Sequence, residues 1–108
     1  MMITEEEIER AVHWLVENAA KAAKAKAERL YLEDYTRVIK SNIMREHMDS
    51  SVNAQERDAY ADERYNDHLL ALKKAIEEDE KMTFLRKAAE ARIEAWRSME
   101  ASKRAIKV

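Results

Sequence analysis

The 108-residue sequence contains neither glycine nor proline. Sheet proteins depend on these residues in hairpins and bulges, so their absence disfavours strands. The chain is rich instead in Ala, Glu, Lys, Leu and Arg, a composition that is typical of long helices and coiled coils. The sequence therefore predicts an all-α fold, and its length suits a single helical domain of residues 1–108.

The first helix begins at a recognisable N-terminal signal. Thr4 and Glu7 form a capping box, in which the Thr4 hydroxyl accepts from the backbone N–H of Glu7. Ile3 and Ile8 stand where a hydrophobic staple would pack. Apolar residues then recur at three- and four-residue spacing, which predicts a helix over about 5–48. The predicted stripe consists of Ile8, Val12, Leu15, Ala19, Ala22 or Ala23, Ala27, Leu30, Tyr35, Val38 and Asn42 or Ile43.

A single turn is predicted at residues 49–53, because Asp-Ser-Ser-Val-Asn is the one cluster of turn-forming residues. Asn53, with Glu56 three residues later, is expected to cap a second helix over about 54–105. The segment 77–81 is polar on every side, so it indicates a coiled-coil stammer, a bend or a break into two helices. We favour a continuous helix with a local change of pitch there.

The two helices can pair only if the chain reverses at the turn. With the turn centred near residue 51, residues whose numbers sum to about 101 should face each other. Apolar residues then oppose apolar residues, which predicts an antiparallel helical hairpin. The expected partners are Leu30 with Leu72 or Leu69, Tyr35 and Val38 with Tyr65, Ile8 with Ile93, and Leu15 with Leu85.

Several large apolar residues fall outside these stripes and would remain wet in a lone hairpin. Surfaces of this kind usually mark an interface. A symmetric dimer that forms a helical bundle or coiled coil is the simplest way to cover them. The candidate interface residues are Trp14, Val16, Leu32, Ile39, Leu70 and Phe84.

The sequence shows no pattern of catalysis or cofactor binding. It has no cysteine and no glycine for a phosphate-binding loop. None of the three histidines follows a glutamate by three residues, as di-iron bundles require. Glu9, His13 and Glu17 share one helix face, and a solvated set of side-chain pairs is favoured there over a metal site. We expect no enzyme activity, no cofactor and no bound metal.

The C-terminal segment 82–108 is basic, with seven Lys or Arg against three Glu, a net charge of +4. Trp96 lies among these cations, and packing in a core or interface is its favoured role. The alternative is stacking on the bases of single-stranded nucleic acid. The candidate nucleic-acid contacts are Arg92, Trp96, Arg97, Lys103 and Arg104.

Two segments, ERDAYADERY at 56–65 and KMTFLRKAAEARIEAWRSMEASKRA at 81–105, include the motif Ile93-Glu94-Ala95-Trp96-Arg97. In these segments the chain resembles a group of small helical proteins encoded by bacteriophages and prophages. The resemblance covers the second half of the chain and supplies no catalytic residues. It implies a phage origin and an accessory role in phage DNA metabolism.

The favoured function is that of a structural or interaction protein, which self-associates and binds a protein partner. The alternative is an accessory nucleic-acid-binding module that uses the basic C-terminal helix. No apolar run approaches the 18 residues of a membrane span, and the acidic N-terminus is unlike a secretory signal peptide. We therefore expect no membrane contact and a location in the cytoplasm, or in the host cytoplasm if the chain is phage-encoded.

Overall fold

The computed structural model describes residues 2–107, and their secondary structure is all-α, as predicted. Three helices follow in order, α1 (Glu5–Arg45), α2 (Val52–Ala61) and α3 (Glu63–Lys107). No residue in the described range has a positive φ, so the chain reverses without the left-handed conformation that glycine would favour. No helix in this range combines the length and the apolarity that crossing a bilayer requires.

Helix α1 begins as its capping signal predicts. The backbone N–H of Glu7 donates to the Thr4 hydroxyl over 3.1 Å, and the N–H of Ile8 donates to the Thr4 carbonyl over 3.2 Å. Three glutamates in the first turn complement the positive end of the helix dipole. The helix ends at Arg45, three residues before the predicted end at 48.

The prediction that Asn53 caps the second helix is wrong. Ser51 takes this role, because its extended backbone lets its hydroxyl accept from the N–H of Ala54 over 3.2 Å. Gln55 strengthens the same corner, since its side-chain amide donates to the Ser50 carbonyl over 2.9 Å. Asn53 lies within the first turn of α2, where it is exposed.

The predicted second helix is interrupted once, at Asp62. This residue is extended, with φ −70° and ψ 137°, and it both ends α2 and begins α3. Its carboxylate accepts from the backbone N–H of Arg64 over 2.8 Å, which satisfies a donor that the new helix leaves free. Residues 77–81, in contrast, lie inside an unbroken α3, so the predicted continuity there is confirmed.

The chain forms two compact units. The turn unit is Lys24–Asp79, and the terminal unit combines Met1–Ala23 with Glu80–Val108. The expectation of a single domain stays a prediction.

In the turn unit, α1 packs against α3 through residues that alternate at spacings of four and three. This is the heptad spacing of a coiled coil. Ile43 is the most deeply buried large side chain, at 1% exposure. The α1 residues are Ala25, Arg29, Leu32, Thr36, Ile39 and Ile43, and the α3 residues are Tyr65, His68, Leu72, Ala75 and Asp79.

In the terminal unit, α1 and α3 contribute buried and half-buried residues at the same spacing. Three of them are alanines, and Ala11, Met82 and Ala89 are the most buried. The α1 residues are Ala11, Leu15, Asn18 and Ala22, and the α3 residues are Met82, Ala89, Ile93 and Trp96.

The predicted apolar stripe is partly displaced from the buried face. The contact face of α1 lies one residue before the predicted stripe in the first part of the helix, as at Asn18 and Arg29, and one residue after it further along, as at Thr36 and Ile39. Polar residues occupy positions on this face that an apolar pattern overlooks. The predicted register is also shifted. Thr36 contacts His68, and 36 and 68 sum to 104 rather than about 101. Among the predicted stripe of α1 and its expected partners in the second helix, the residues that prove to be exposed are Val12, Ala19, Ala27, Leu30, Val38, Leu69 and Leu85.

Candidate functional site

The six candidate interface residues divide into two groups. Leu32 and Ile39 are half-buried on the face of α1 that meets α3, and Trp14 is half-buried beside the same face in the terminal unit. The other three remain on the surface, with Val16 exposed at 73%, Leu70 at 57% and Phe84 at 65%. A partner therefore has only these three of the six fully available to it.

A buried ion pair crosses between α1 and α3 in the turn unit. Arg29 Nη1 lies 2.9 Å from Asp79 Oδ2, and the Asp79 side chain is 9% exposed. Ala25 and Ala75, both buried, stand four residues before each partner and leave room for the long arginine side chain. Because a buried charge requires its counter-charge, this pair penalises any register that would separate them.

A second polar contact in the turn unit joins Thr36 to His68. The Thr36 hydroxyl and His68 Nε2 are 2.8 Å apart, and the hydroxyl also lies 3.1 Å from the Leu32 carbonyl, to which it donates. The His68 ring is buried and tilted against Tyr35, with centroids 5.9 Å apart. The side chains of this cluster are occupied by one another, which suits a role in pairing the helices.

Lys40 ties α1 to α2. Its Nζ lies 3.2 Å from Glu56 Oε1 and 4.7 Å from the centre of the Tyr60 ring. The side chain of Tyr60 contributes most to raising the pKa of Lys40, and the hydrogen bond to Glu56 adds to it. A raised pKa keeps the amine protonated, which is the opposite of what a nucleophilic lysine needs.

Arg64 joins the end of α1 to the α2–α3 break. Its two terminal nitrogens donate to the two Glu46 carboxylate oxygens over 2.8 and 2.9 Å, and its Nε donates to Asp62 over 3.0 Å. These hydrogen bonds lower the pKa of both carboxyls and raise the pKa of Arg64. The cluster is exposed to solvent and fixes the corner of the chain.

Trp14 borders a groove in the terminal unit with a volume of about 530 Å³. Ala11 and Ala89, both small and buried, are among the residues that line it. The other residues along it are the acidic Glu7, the basic Arg10 and Arg92, and the apolar Leu85. Asn18 holds the helix beside it by donating from its side-chain amide to the Trp14 carbonyl over 2.9 Å.

The predicted nucleic-acid residues lie in more than one place in the terminal unit. Trp96, Arg97 and Arg104 line one groove on α3, together with Glu94 and Glu100. Arg92 borders the Trp14 groove instead. Two of the four cations are paired within the helix, Arg97 with Glu94 at 3.0 Å and Lys103 with Glu100 at 3.3 Å. The positive charge that the sequence suggests is therefore partly neutralised.

The histidine and carboxylate sets form no metal-binding cluster within residues 2–107. On the face that the sequence singles out, His13 Nε2 lies 3.8 Å from Glu17 Oε1, and both side chains are largely exposed. This is an ordinary surface pair at a separation of four residues.

Sequence reasoning missed the polar residues that cross between helices, chiefly Arg29, Asp79, Thr36 and His68. The sequence does contain a signal for them, because all four residues fall on the alternating four- and three-residue spacing of the contact faces of their helices.

The chain matches no protein-family model, no curated protein and no solved structure.

Proposed function

We propose that the chain is a structural or interaction protein, a helical hairpin that self-associates as a dimer and offers its remaining surface to a protein partner. One observation carries this proposal, the exposure of large apolar side chains. Val16, Leu70 and Phe84 are 73%, 57% and 65% exposed.

Exposed apolar surface of this kind usually marks an interaction site. Association would remove such side chains from water, at roughly 25 cal/mol for each Å² of apolar area buried.

Sedimentation equilibrium of the full chain, over a wide range of concentrations, tests the proposal. The measured mass is expected to rise with protein concentration toward twice 12.7 kDa, the mass of a dimer. A mass that stays at 12.7 kDa at every concentration would contradict self-association. The exposed apolar surface would then be a binding site for a different protein.

The origin and location of the protein form a further part of the proposal. The resemblance of residues 56–65 and 81–105 to phage-encoded helical proteins supports a phage origin. The absence of cysteine fits the reducing cytoplasm, which would be the host's cytoplasm in that case.

A second function is favoured by the groove that Trp96, Arg97 and Arg104 line together. An aromatic ring with cations beside it is what stacking on single-stranded nucleic acid requires. This alternative predicts binding to a labelled single-stranded oligonucleotide that weakens as salt increases.

The matched pair for this test is Arg97→Glu/Arg104→Glu against Arg37→Glu. Binding should disappear in the first variant and survive in the second, since Arg37 is an exposed residue of the turn unit. The absence of binding to the wild-type chain at low salt would remove this function from consideration.

A further inference from the structure

The lining of the Trp14 groove changes from one end to the other. Helices α1 and α3 run in opposite directions, so residues early in α1 lie across from residues late in α3. Glu7 and Arg10 therefore share one end of the groove with Arg92. Trp14 shares the other end with Leu85. One end is charged and the other is apolar, which suits a ligand that has the same two halves.

The charged end of the groove carries an excess of positive charge. Arg10 and Arg92 reach it from opposite helices, and within residues 2–107 neither of them forms an ion pair or a side-chain hydrogen bond. Glu7 supplies the one carboxylate of the lining, and its place in the first turn of α1 lets it complement the positive end of the helix dipole. Two guanidinium groups and one carboxylate leave a charge of +1, which a single anionic group would balance.

The dimensions of the groove are those of a small-molecule site. Its volume of about 530 Å³ lies within the range of roughly 300–1,000 Å³ that such sites occupy. Seven residues separate Glu7 from Trp14 along α1, so the groove is about 10 Å long. The half-buried Trp14 ring and the Leu85 side chain offer apolar surface at its far end.

We propose that the Trp14 groove binds a small amphipathic organic acid. The carboxylate of the ligand pairs with Arg10 and Arg92, and its apolar body lies against Trp14 and Leu85. Arginine is suited to this role because its planar guanidinium group can donate two parallel hydrogen bonds to a carboxylate. A monoanion fits the charge of the site better than a phosphate dianion, which Glu7 would repel more strongly. The site lies within one chain and does not depend on self-association.

The groove that Trp96 lines lacks the features on which this proposal rests. Its two cations are matched by two carboxylates in the same lining, those of Glu94 and Glu100. One of the cations, Arg97, is already paired with Glu94 at 3.0 Å. All of its lining residues belong to α3, so no second helix bounds it. An organic acid therefore finds neither an excess of positive charge nor an enclosed apolar end there.

The first experiment titrates octanoate into the Trp96→Phe variant, in which Trp14 is the remaining tryptophan. The fluorescence of Trp14 should change and reach a plateau, because the aliphatic chain replaces water beside the ring. Octylammonium has the same chain and the opposite charge, so its dissociation constant should be roughly tenfold higher or more. Calorimetry of the wild type with octanoate should give one ligand per chain.

The second experiment separates the two arginines from a general effect of charge. In the Trp96→Phe background, Arg10→Gln/Arg92→Gln should raise the dissociation constant of octanoate roughly tenfold or more. The matched control is Lys21→Gln/Arg86→Gln, which removes the same charge from exposed residues of the same two helices outside the groove. This control should bind octanoate as its parent does.

The third experiment fills the groove and keeps both arginines. Ala89→Leu places a larger side chain in the lining, so octanoate should bind roughly tenfold more weakly or not at all. Ala88→Leu adds the same volume at an exposed neighbouring position and should bind octanoate normally. Equal helix content by circular dichroism shows that the variants are folded.

Four results would overturn the inference. The first is the absence of both a saturable change in Trp14 fluorescence and a heat of binding to the wild type. The second is equal affinity for octylammonium, which would show general adsorption to apolar surface. Unchanged binding by Arg10→Gln/Arg92→Gln would remove the role of the arginines, and normal binding by Ala89→Leu would place the ligand elsewhere. None of these results bears on the mass measured by sedimentation, which tests the proposed function separately.

Discussion

The turn unit and the terminal unit use the same helices and the same spacing, yet they are held together differently. In the turn unit, polar contacts join separate helices, through Arg29–Asp79, Thr36–His68 and Lys40–Glu56. In the terminal unit, the ion pairs His13–Glu17 and Arg97–Glu94 each join residues of one helix. The packing between helices there is mainly apolar, through residues such as Leu15, Met82 and Ile93, and a groove lies beside Trp14.

This difference separates two tasks. Polar contacts between helices are satisfied in only one alignment, so the turn unit selects the register. Apolar packing tolerates more alignments than polar contacts do, and the terminal unit keeps exposed apolar residues, Val16 and Phe84, that a partner can cover. Variants placed in equivalent positions of the two units should therefore behave differently.

The largest difference is expected for Asp79→Ala, which removes the buried carboxylate beside Arg29 and leaves the more exposed Glu33 to pair with it. The free energy of unfolding should fall by about 3 kcal/mol, as measured by urea denaturation. The control is Glu94→Ala in the terminal unit, which breaks an exposed pair and should cost less than about 1 kcal/mol. Similar losses of unfolding free energy in the two variants would show that the buried pair stabilises the fold no more than an exposed pair does.

The next comparison enlarges one buried alanine in each unit. Ala25→Leu places extra volume one turn before Arg29, where the helices are filled, and should cost about 1 to 3 kcal/mol. Ala89→Leu adds the same volume beside a groove of about 530 Å³ and should cost less. The urea midpoints of the two variants measure this difference. A larger loss of stability for Ala89→Leu than for Ala25→Leu would contradict the proposed difference in packing between the two units.

A smaller effect is expected from Thr36→Val, which keeps the shape of the side chain and removes the hydroxyl beside His68. The loss should be about 1 kcal/mol, because His68 Nε2 loses its 2.8 Å contact in a buried place. Thr83→Val makes the same change in the terminal unit and should leave the urea midpoint nearly unchanged. A loss confined to Thr83→Val would reverse the expected order.

The smallest effect is expected at the exposed corner. The pKa of Glu46 and of Asp62 is lowered by Arg64, so their contribution to stability is present above their ordinary values of 4.5 and 3.8 and is lost as the pH falls through the lowered ones. Arg64→Ala should therefore be less stable than the wild type at neutral pH, and the gap should close in acid. Urea midpoints of the wild type and Arg64→Ala, at neutral and at acidic pH, measure this difference. A difference that widens in acid would contradict the stabilising role of Arg64 beside Glu46 and Asp62.

The elements of the fold that depend on local chemistry could be predicted. The absence of glycine and proline predicts the all-α class, Thr4 predicts the start of α1, and the favoured continuity of residues 77–81 is confirmed. Asp62 is an exception, since its capping of α3 is equally local and was overlooked. An acidic residue in an acidic helical segment does not stand out.

The buried face was harder to predict, for a physical reason. An apolar pattern assumes that polar side chains point to water. Arg29 and Thr36 are instead satisfied by Asp79 and His68 on another helix, and such partners are distant in sequence. Each half of the pair therefore reads as a solvent-facing residue. The same uncertainty explains why Leu32 and Ile39 were predicted to lie on the outside.

The candidate nucleic-acid set shows the same limit. Sequence reasoning placed Arg92, Trp96 and Arg97 in one basic segment, but Arg92 and Arg97 are separated by about 140° around a helix. The structure accordingly assigns Arg92 to one groove and Trp96 with Arg97 to another. Charge counted along a segment does not reveal how it is divided around the helix.

The seven-residue periodicity of α1 and α3 also restricts how the gene for such a chain can change in length. Inserting or deleting one codon within either helix rotates everything beyond it by about 100°, which would move Arg29 or Asp79 out of reach of its partner. A gain or loss of seven codons in α1, matched by seven in α3, restores the alignment. Related genes should therefore differ in length by paired multiples of 21 nucleotides, a pattern that would be visible by comparing genomes.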